Sequence, residues 1–291
     1  MDLVDQFRQY LVEDGKSPAT IVSYVGDIRG FLRYLGGKGV KFDGALRRYQ
    51  VTTYKKHLIE ADYEVNTINK KMNSLVCFNH FLIRQGLMTE LVVDLRKDKV
   101  KVAGGSEREV EVYTEDEVDR ILFYVHDPTK ISARDKLIIT LLFFTGVRVS
   151  ELVSIRLKDM DFLTMQLNVL GKGGKIREVP LRAEVIEAAN EYMDTERRQH
   201  KYSDSEYLLL TERSSKMDRD AVNKLLKKHG KVLGIYLKPH KFRHTFCTTL
   251  IDRGVPLTTV AKLAGHSGIQ TTAAFYINTS RQDKQDAIEL L

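Results

Sequence analysis

The chain has 291 residues, 43% hydrophobic and 29% charged, and its 46 lysines and arginines against 39 aspartates and glutamates give a formal net charge of +7. That length accommodates two domains with separate cores, the composition is that of a globular protein, and the positive balance suits a polyanionic partner. The longest apolar run, Leu137 to Phe144 broken by Thr140, is too short for a bilayer span, and the acidic start Asp2-Leu3-Val4-Asp5 is no secretory signal; the expectation is a cytoplasmic protein with no membrane segment.

From Asp2 to about Leu95 apolar residues recur at helical spacing. Val4, Phe7, Tyr10 and Leu11 make a first stripe. A second helix follows Ser17-Pro18, with Ser17 as N-cap and Pro18 in the first turn, and Gly36-Gly37-Lys38-Gly39 ends it. Further helices are predicted from near Leu46 to Ala61 and from Asn66 to Gln85. The basic pairs Arg47-Arg48, Lys55-Lys56 and Lys70-Lys71 punctuate this half at intervals that fit one DNA-facing surface or, equally, a solvated helix surface. Cys77 and Cys247 both fall in apolar-periodic stretches and read as small buried hydrophobes.

Residues 97–112 lose that periodicity and read as a linker between an all-helical domain, 1–96, and a second domain, 113–291. Thr114-Glu115-Asp116-Glu117 is a capping box that opens the second domain. An apolar helix from about Ala133 to Phe144 stops at Gly146, and another starts near Ser150, so Arg148 stands at a junction. Period-two alternation in Met165–Leu170 and Ile176–Leu181 around Gly171-Lys172-Gly173-Gly174 predicts a β-hairpin with Lys172 near its tip. Beyond Glu184 the pattern is mostly helical, apart from the short apolar run Tyr207–Leu210.

Chemistry-bearing residues cluster in this second half. Gly171-Lys172-Gly173-Gly174-Lys175 fails the phosphate-loop pattern, because Val169 stands where a glycine is needed and Ile176 where a serine or threonine would hold magnesium. The hairpin lysine can instead enter a DNA groove or donate a proton to a leaving oxygen; a solvated basic turn is the plain alternative. His240 and His244 lie one helical turn apart, a spacing that can bind zinc with His266 as a third ligand, but Lys241 between them disfavours a metal and none is expected. His240 and Arg243 converging on an anion is the preferred reading. Tyr276 follows Phe275 and, from the residues alone, reads as a packed core tyrosine in preference to a nucleophile.

The segments Thr145-Gly146-Val147-Arg148-Val149-Ser150-Glu151-Leu152, Gly171-Lys172-Gly173-Gly174-Lys175, His240-Lys241-Phe242-Arg243-His244, Leu263-Ala264-Gly265-His266-Ser267 and finally Tyr276 together resemble, in kind, order and spacing, the tyrosine recombinases of the phage-integrase and Xer type. The resemblance covers the whole chain. It implies a mainly α fold: an all-helical N-terminal core-binding domain and a mostly helical catalytic domain with a small antiparallel β-sheet. It also implies that Arg148 and Arg243 clamp a scissile phosphate, Lys172 is general acid, His240 and His266 assist, Glu151 orients its neighbours and Tyr276 is the nucleophile. Lys175, Arg177 and Lys241 join the basic pairs as expected DNA contacts. The implied partners are a double-stranded DNA recombination site and further copies of the chain in a DNA-bound tetramer, with an accessory protein as an option and no cofactor. One departure stands out: many members place the tyrosine nine residues after the second histidine, whereas Tyr276 is ten after His266. A type IB topoisomerase and a non-catalytic DNA-binding protein are the alternatives.

Overall fold

A computed structural model of the chain describes residues 2–101, 110–171, 174–266, 268, 272, 273 and 289, and it divides into two compact units at Ser106 and Glu107. The N-terminal unit consists of α1 (Leu3–Glu13), α2 (Pro18–Gly37), α3 (Arg48–Glu60), α4 (Val65–Arg84) and the short α5 (Leu95–Asp98). The local signals act as expected: the Ser17 hydroxyl accepts the Thr20 N–H at 3.2 Å, and Pro18 occupies the first turn of α2. The helical stripes meet in one core of Phe7, Leu11, Ile28, Phe31, Val51, Met72, Phe78 and Leu82, all fully buried. Phe7 and Phe78 pack edge to face at 5.1 Å.

The expected linker begins later than the loss of periodicity suggests. Lys97 and Asp98 belong to α5, where the buried Asp98 carboxylate accepts both terminal nitrogens of Arg48 at 2.6 Å. Asn69 then donates to the Val100 carbonyl at 3.0 Å and accepts its N–H at 2.8 Å, fixing this stretch to α4. Residues 102–109, which hold the glycine pair of that linker, lie outside the described residues.

The C-terminal unit opens with α6 (Glu115–Val125), started by the Thr114–Glu117 capping box as expected. Next comes α7 (Ala133–Thr145), whose Leu137, Ile138, Ile139, Leu141 and Leu142 are fully buried; a helix apolar on all sides has to be central, and α7 packs against neighbours on several faces. The short α8 (Val149–Leu152) follows, then β1 (Met160–Asp161), β2 (Gln166–Leu170) and β3 (Ile176–Pro180), an antiparallel sheet in that order with Leu167 opposite Val179 and Val169 opposite Arg177. The remaining helices are α9 (Ala183–Tyr192), which runs into a π-helical turn at Met193–Arg197, then α10 (Arg219–Leu233), α11 (Pro239–Asp252) and α12 (Leu257–Ala264). Arg197, buried at the end of the π turn, satisfies the carbonyls of Ser203, Ser205, Tyr207 and Leu208 and so fixes the extended apolar run. Both cysteines are free thiols, Cys247 buried and Cys77 half-buried, and burial pushes Cys247 up to about 11. No helix among the described residues is long and apolar enough to cross a membrane.

Candidate active site

Two helix ends and one strand build the site. Helix α7 stops because Gly146 takes a left-handed conformation, φ +58°, and α12 stops in the same way at Gly265, φ +66°. Helix termini leave carbonyl groups without partners in the helix, and these carry the negative end of its dipole. Arginines meet them here. The Gly146 carbonyl accepts Arg243 Nη1 at 2.7 Å. At the end of α12 three successive carbonyls each take a different arginine: Leu263 takes Arg177 Nε at 2.9 Å, Ala264 takes Arg243 Nη2 at 2.5 Å, and Gly265 takes Arg148 Nη2 at 2.9 Å.

Glu151 provides the negative charge in this group. Its carboxylate accepts the Arg148 backbone N–H and Nη1, both at 2.8 Å, and the Arg177 terminal nitrogens at 3.0 and 2.8 Å. Burial alone would raise its pKa, but the bonds from Arg177 and Arg148 hold it below the usual carboxylate range. Three guanidiniums against one carboxylate leave the cluster with net positive charge. Arg243 bears most of the cost: burial first, and then the nearby Arg148, lower its pKa to about 10. Its hydrogen bonds to neutral carbonyls account for two of its five N–H groups. A buried cation held in this way is an electrostatic host for an incoming anion.

His266 follows directly on Gly265, and its Nδ1 lies 2.8 Å from the Thr272 hydroxyl. Burial, then Arg243, Arg148 and Arg177, push its imidazole down to about 4, so it is neutral near pH 7. His240 is exposed in the first turn of α11, one turn before Arg243 and with its ring 6.4 Å from that of His244. Among the described residues no group of three or more histidines, cysteines and carboxylates is placed to hold a metal ion. Lys172 and Tyr276 lie outside the described residues.

The expected DNA contacts divide into two groups. Arg177 is turned inward, 13% exposed, onto Glu151 and Leu263. Lys241 is also inward, bonded to Glu117 at 3.2 Å over the Tyr113 ring, and Lys71 lies against the buried Asp27. Lys175, Arg47, Lys56 and Lys70 are exposed, and the last three are paired with Asp43, Glu60 and Asp27. Arg48 is bound to Asp98, and Lys55 donates to the Lys97 carbonyl. The pairs exposed on both sides, Arg47–Asp43 and Lys56–Glu60, are weak and exchange readily for phosphate. A further basic stripe, not among the expected contacts, lies on α10, where Lys224, Lys227, Lys228 and Lys231 are exposed along one face; their spacing of three and four residues marks it.

A cluster of arginines with net positive charge at two helix ends can receive an anion such as a phosphate. The chain belongs to the phage integrase family and is a tyrosine-type site-specific DNA recombinase: residues 111–283 match the Phage integrase family, and residues 4–86 match its N-terminal SAM-like domain. It is 32% identical over 300 aligned residues to the TnP I resolvase of Bacillus thuringiensis, with all of both chains covered. It is 33% identical over 278 residues to the tyrosine recombinase XerA of Thermococcus onnurineus, covering 94% of this chain and 90% of the relative. Among solved structures it shares its fold with the XerH site-specific recombinase bound to a palindromic difH substrate (TM-score 0.76, 18% identity, 93% of this chain and 80% of that one). The Tn1549 transposon integrase in complex with transposon right end DNA also shares it (TM-score 0.72, 21% identity, 99% of both chains).

Proposed function

We propose that this recombinase cuts and rejoins double-stranded DNA at a specific site through a 3′-phosphotyrosyl intermediate on Tyr276. The observation that carries the reading is the convergence of Arg148 and Arg243 on adjacent carbonyls, Gly265 and Ala264, at one helix end. Two guanidiniums held this close can grip the non-bridging oxygens of one phosphate and stabilise the charge that grows on it. Glu151 holds Arg148 in place, neutral His266 hydrogen-bonds the phosphate, and His240 approaches from the first turn of α11. Tyr276 attacks phosphorus, the phenolic proton leaves, and Lys172 protonates the departing 5′ oxygen. The phosphodiester energy is kept in the phosphotyrosyl bond, so attack by a partner strand's 5′ hydroxyl reseals the DNA with no ATP and no metal. Exchange between two duplexes calls for four copies of the chain on DNA. Lys175 and the exposed cations of the N-terminal unit supply phosphate contacts, as do the α10 lysines, and most of the affinity is salt-sensitive.

The resolvase and Xer relatives favour resolution of cointegrates or of chromosome dimers over element integration as the biological task, with an accessory protein as a further partner. The test of the chemistry uses nicked suicide duplexes built from DNA flanking the gene, with EDTA present. A detergent-stable, protease-sensitive adduct that Tyr276→Phe abolishes without weakening DNA binding is expected. Binding without an adduct on any flanking or selected site would refute the catalytic reading and favour the non-catalytic DNA-binding one.

A further inference from the structure

We propose that Arg177 is a positioning residue for this site, one that holds Glu151 and the end of α12 on the β2–β3 hairpin and thereby sets the aim of Arg148. The inference rests on the function proposed above. All three nitrogens of the Arg177 side chain are committed: Nε to the Leu263 carbonyl, and Nη1 and Nη2 to the two oxygens of Glu151. With its side chain only 13% exposed, it acts from beneath the site and not at its surface.

Charge explains why such a group is needed. Glu151 bonded only to Arg148 would neutralise the very cation expected to take the phosphate. With Arg177 also on the carboxylate, each Glu151 oxygen accepts one N–H from either arginine, and net positive charge survives at the site. Geometry gives a second reason. Arg177 lies opposite Val169 on the hairpin, next to the Leu170–Ile176 pair that closes the strands on either side of residues 171–175. Its Nε holds the helix end that leads into His266. One planar fork therefore joins β3, the second strand of the hairpin, the start of α8 with Arg148 and Glu151, and the helix before His266. The packing is close: a Cβ on Gly265 would stand 2.7 Å from Arg177 Nη1 and 2.9 Å from Cζ, so that glycine is required by the arginine as well as by its own φ. A lysine carries a single ammonium and cannot reproduce three bonds in one plane.

The test compares full-length wild type, Arg177→Met, Arg177→Lys and the double variant Arg177→Met/Glu151→Gln. Adduct formation and DNA affinity are measured on a suicide duplex that the wild type cleaves, and affinity for inorganic phosphate is followed by the arginine side-chain NMR signals. Arg177→Met is expected to slow adduct formation about 100-fold, as a misplacement of about 1 Å does. DNA affinity, which comes mostly from phosphates elsewhere, should change by less than about 3-fold. Phosphate affinity should fall, Arg177→Lys should recover only part of the rate, and Arg177→Met should add little once Glu151 is already Gln. A wild-type rate and phosphate affinity in Arg177→Met would overturn the proposal. Should the Met variant fail to fold, the Lys variant decides: a folded protein with reduced rate supports the proposal, and one with full rate refutes it. A wild type that forms no adduct defeats the proposed function, and the phosphate titration then judges Arg177 by itself.

Discussion

Gly146→Ala is the sharpest single perturbation that the site offers, because the molecule contains its own control. Gly146 and Gly234 both end a helix in the left-handed conformation, with φ +58° and ψ 20° for the first and φ +67° and ψ 23° for the second. An alanine in that conformation costs about 1 kcal/mol at either position. At Gly234 nothing lies within 4 Å of an added Cβ, so the conformational cost is the whole cost. At Gly146 the new Cβ would meet the Phe246 ring, 2.8 Å from Cγ and in still closer conflict with Cδ1. Overpacking of that kind adds about 2 kcal/mol, giving about 3 kcal/mol for Gly146→Ala. The chain has two units, so a single melting curve is a poor measure; hydrogen exchange of the α7 amides reports on the C-terminal unit directly. Because the Gly146 carbonyl anchors Arg243, adduct formation should fall in Gly146→Ala and stay near wild type in Gly234→Ala. Equal losses of protection in the two variants would refute the steric argument.

Two further outcomes are expected. Asp98→Ala should remove about 2 kcal/mol from the N-terminal unit, since a buried carboxylate with charge-assisted bonds to Arg48 is lost, and trypsin should then cut faster after Lys97 and Lys99, whose backbone α5 and the Asn69–Val100 bonds restrain in the wild type; an unchanged cleavage rate would contradict the placement of this stretch. The His266 imidazole, held down to about 4 against an ordinary value near 6.5, stays neutral between those values in the folded chain while the unfolded chain takes up a proton. Stability should therefore fall as pH drops through 6.5 toward 4, His266→Gln should flatten that fall, and an NMR titration midpoint at 6 or above would show the reasoning to be wrong.

The motifs made Arg148, Glu151, Arg243 and His266 legible as candidates, and helical periodicity with its capping residues located the main helices. The partners of these side chains were not legible, because the carbonyls of Leu263, Ala264 and Gly265 belong to the backbone and become acceptors only where α12 ends against the hairpin. Arg177 carried a signal that was missed. It shares a strand face with Val179 and Leu181, both buried, so the alternation that predicted the hairpin also pointed Arg177 inward. Residues 97 and 98 read as a charged linker because the Asp98 partner, Arg48, is 50 positions away and no local pattern reveals it. β1, two residues long, is too short for alternation to register.

The bonds that assemble the arginine cluster span 26, 86, 97 and 117 positions along the chain. Two of them, Arg177 to Leu263 and Arg148 to Gly265, do not exist in a nascent polypeptide until α12 has left the ribosome and docked, and contacts this distant form late because long loops must close first. A truncated or half-folded product therefore carries Arg148 and Arg177 without the helix end that gathers them, so the positive cluster is completed only with α12.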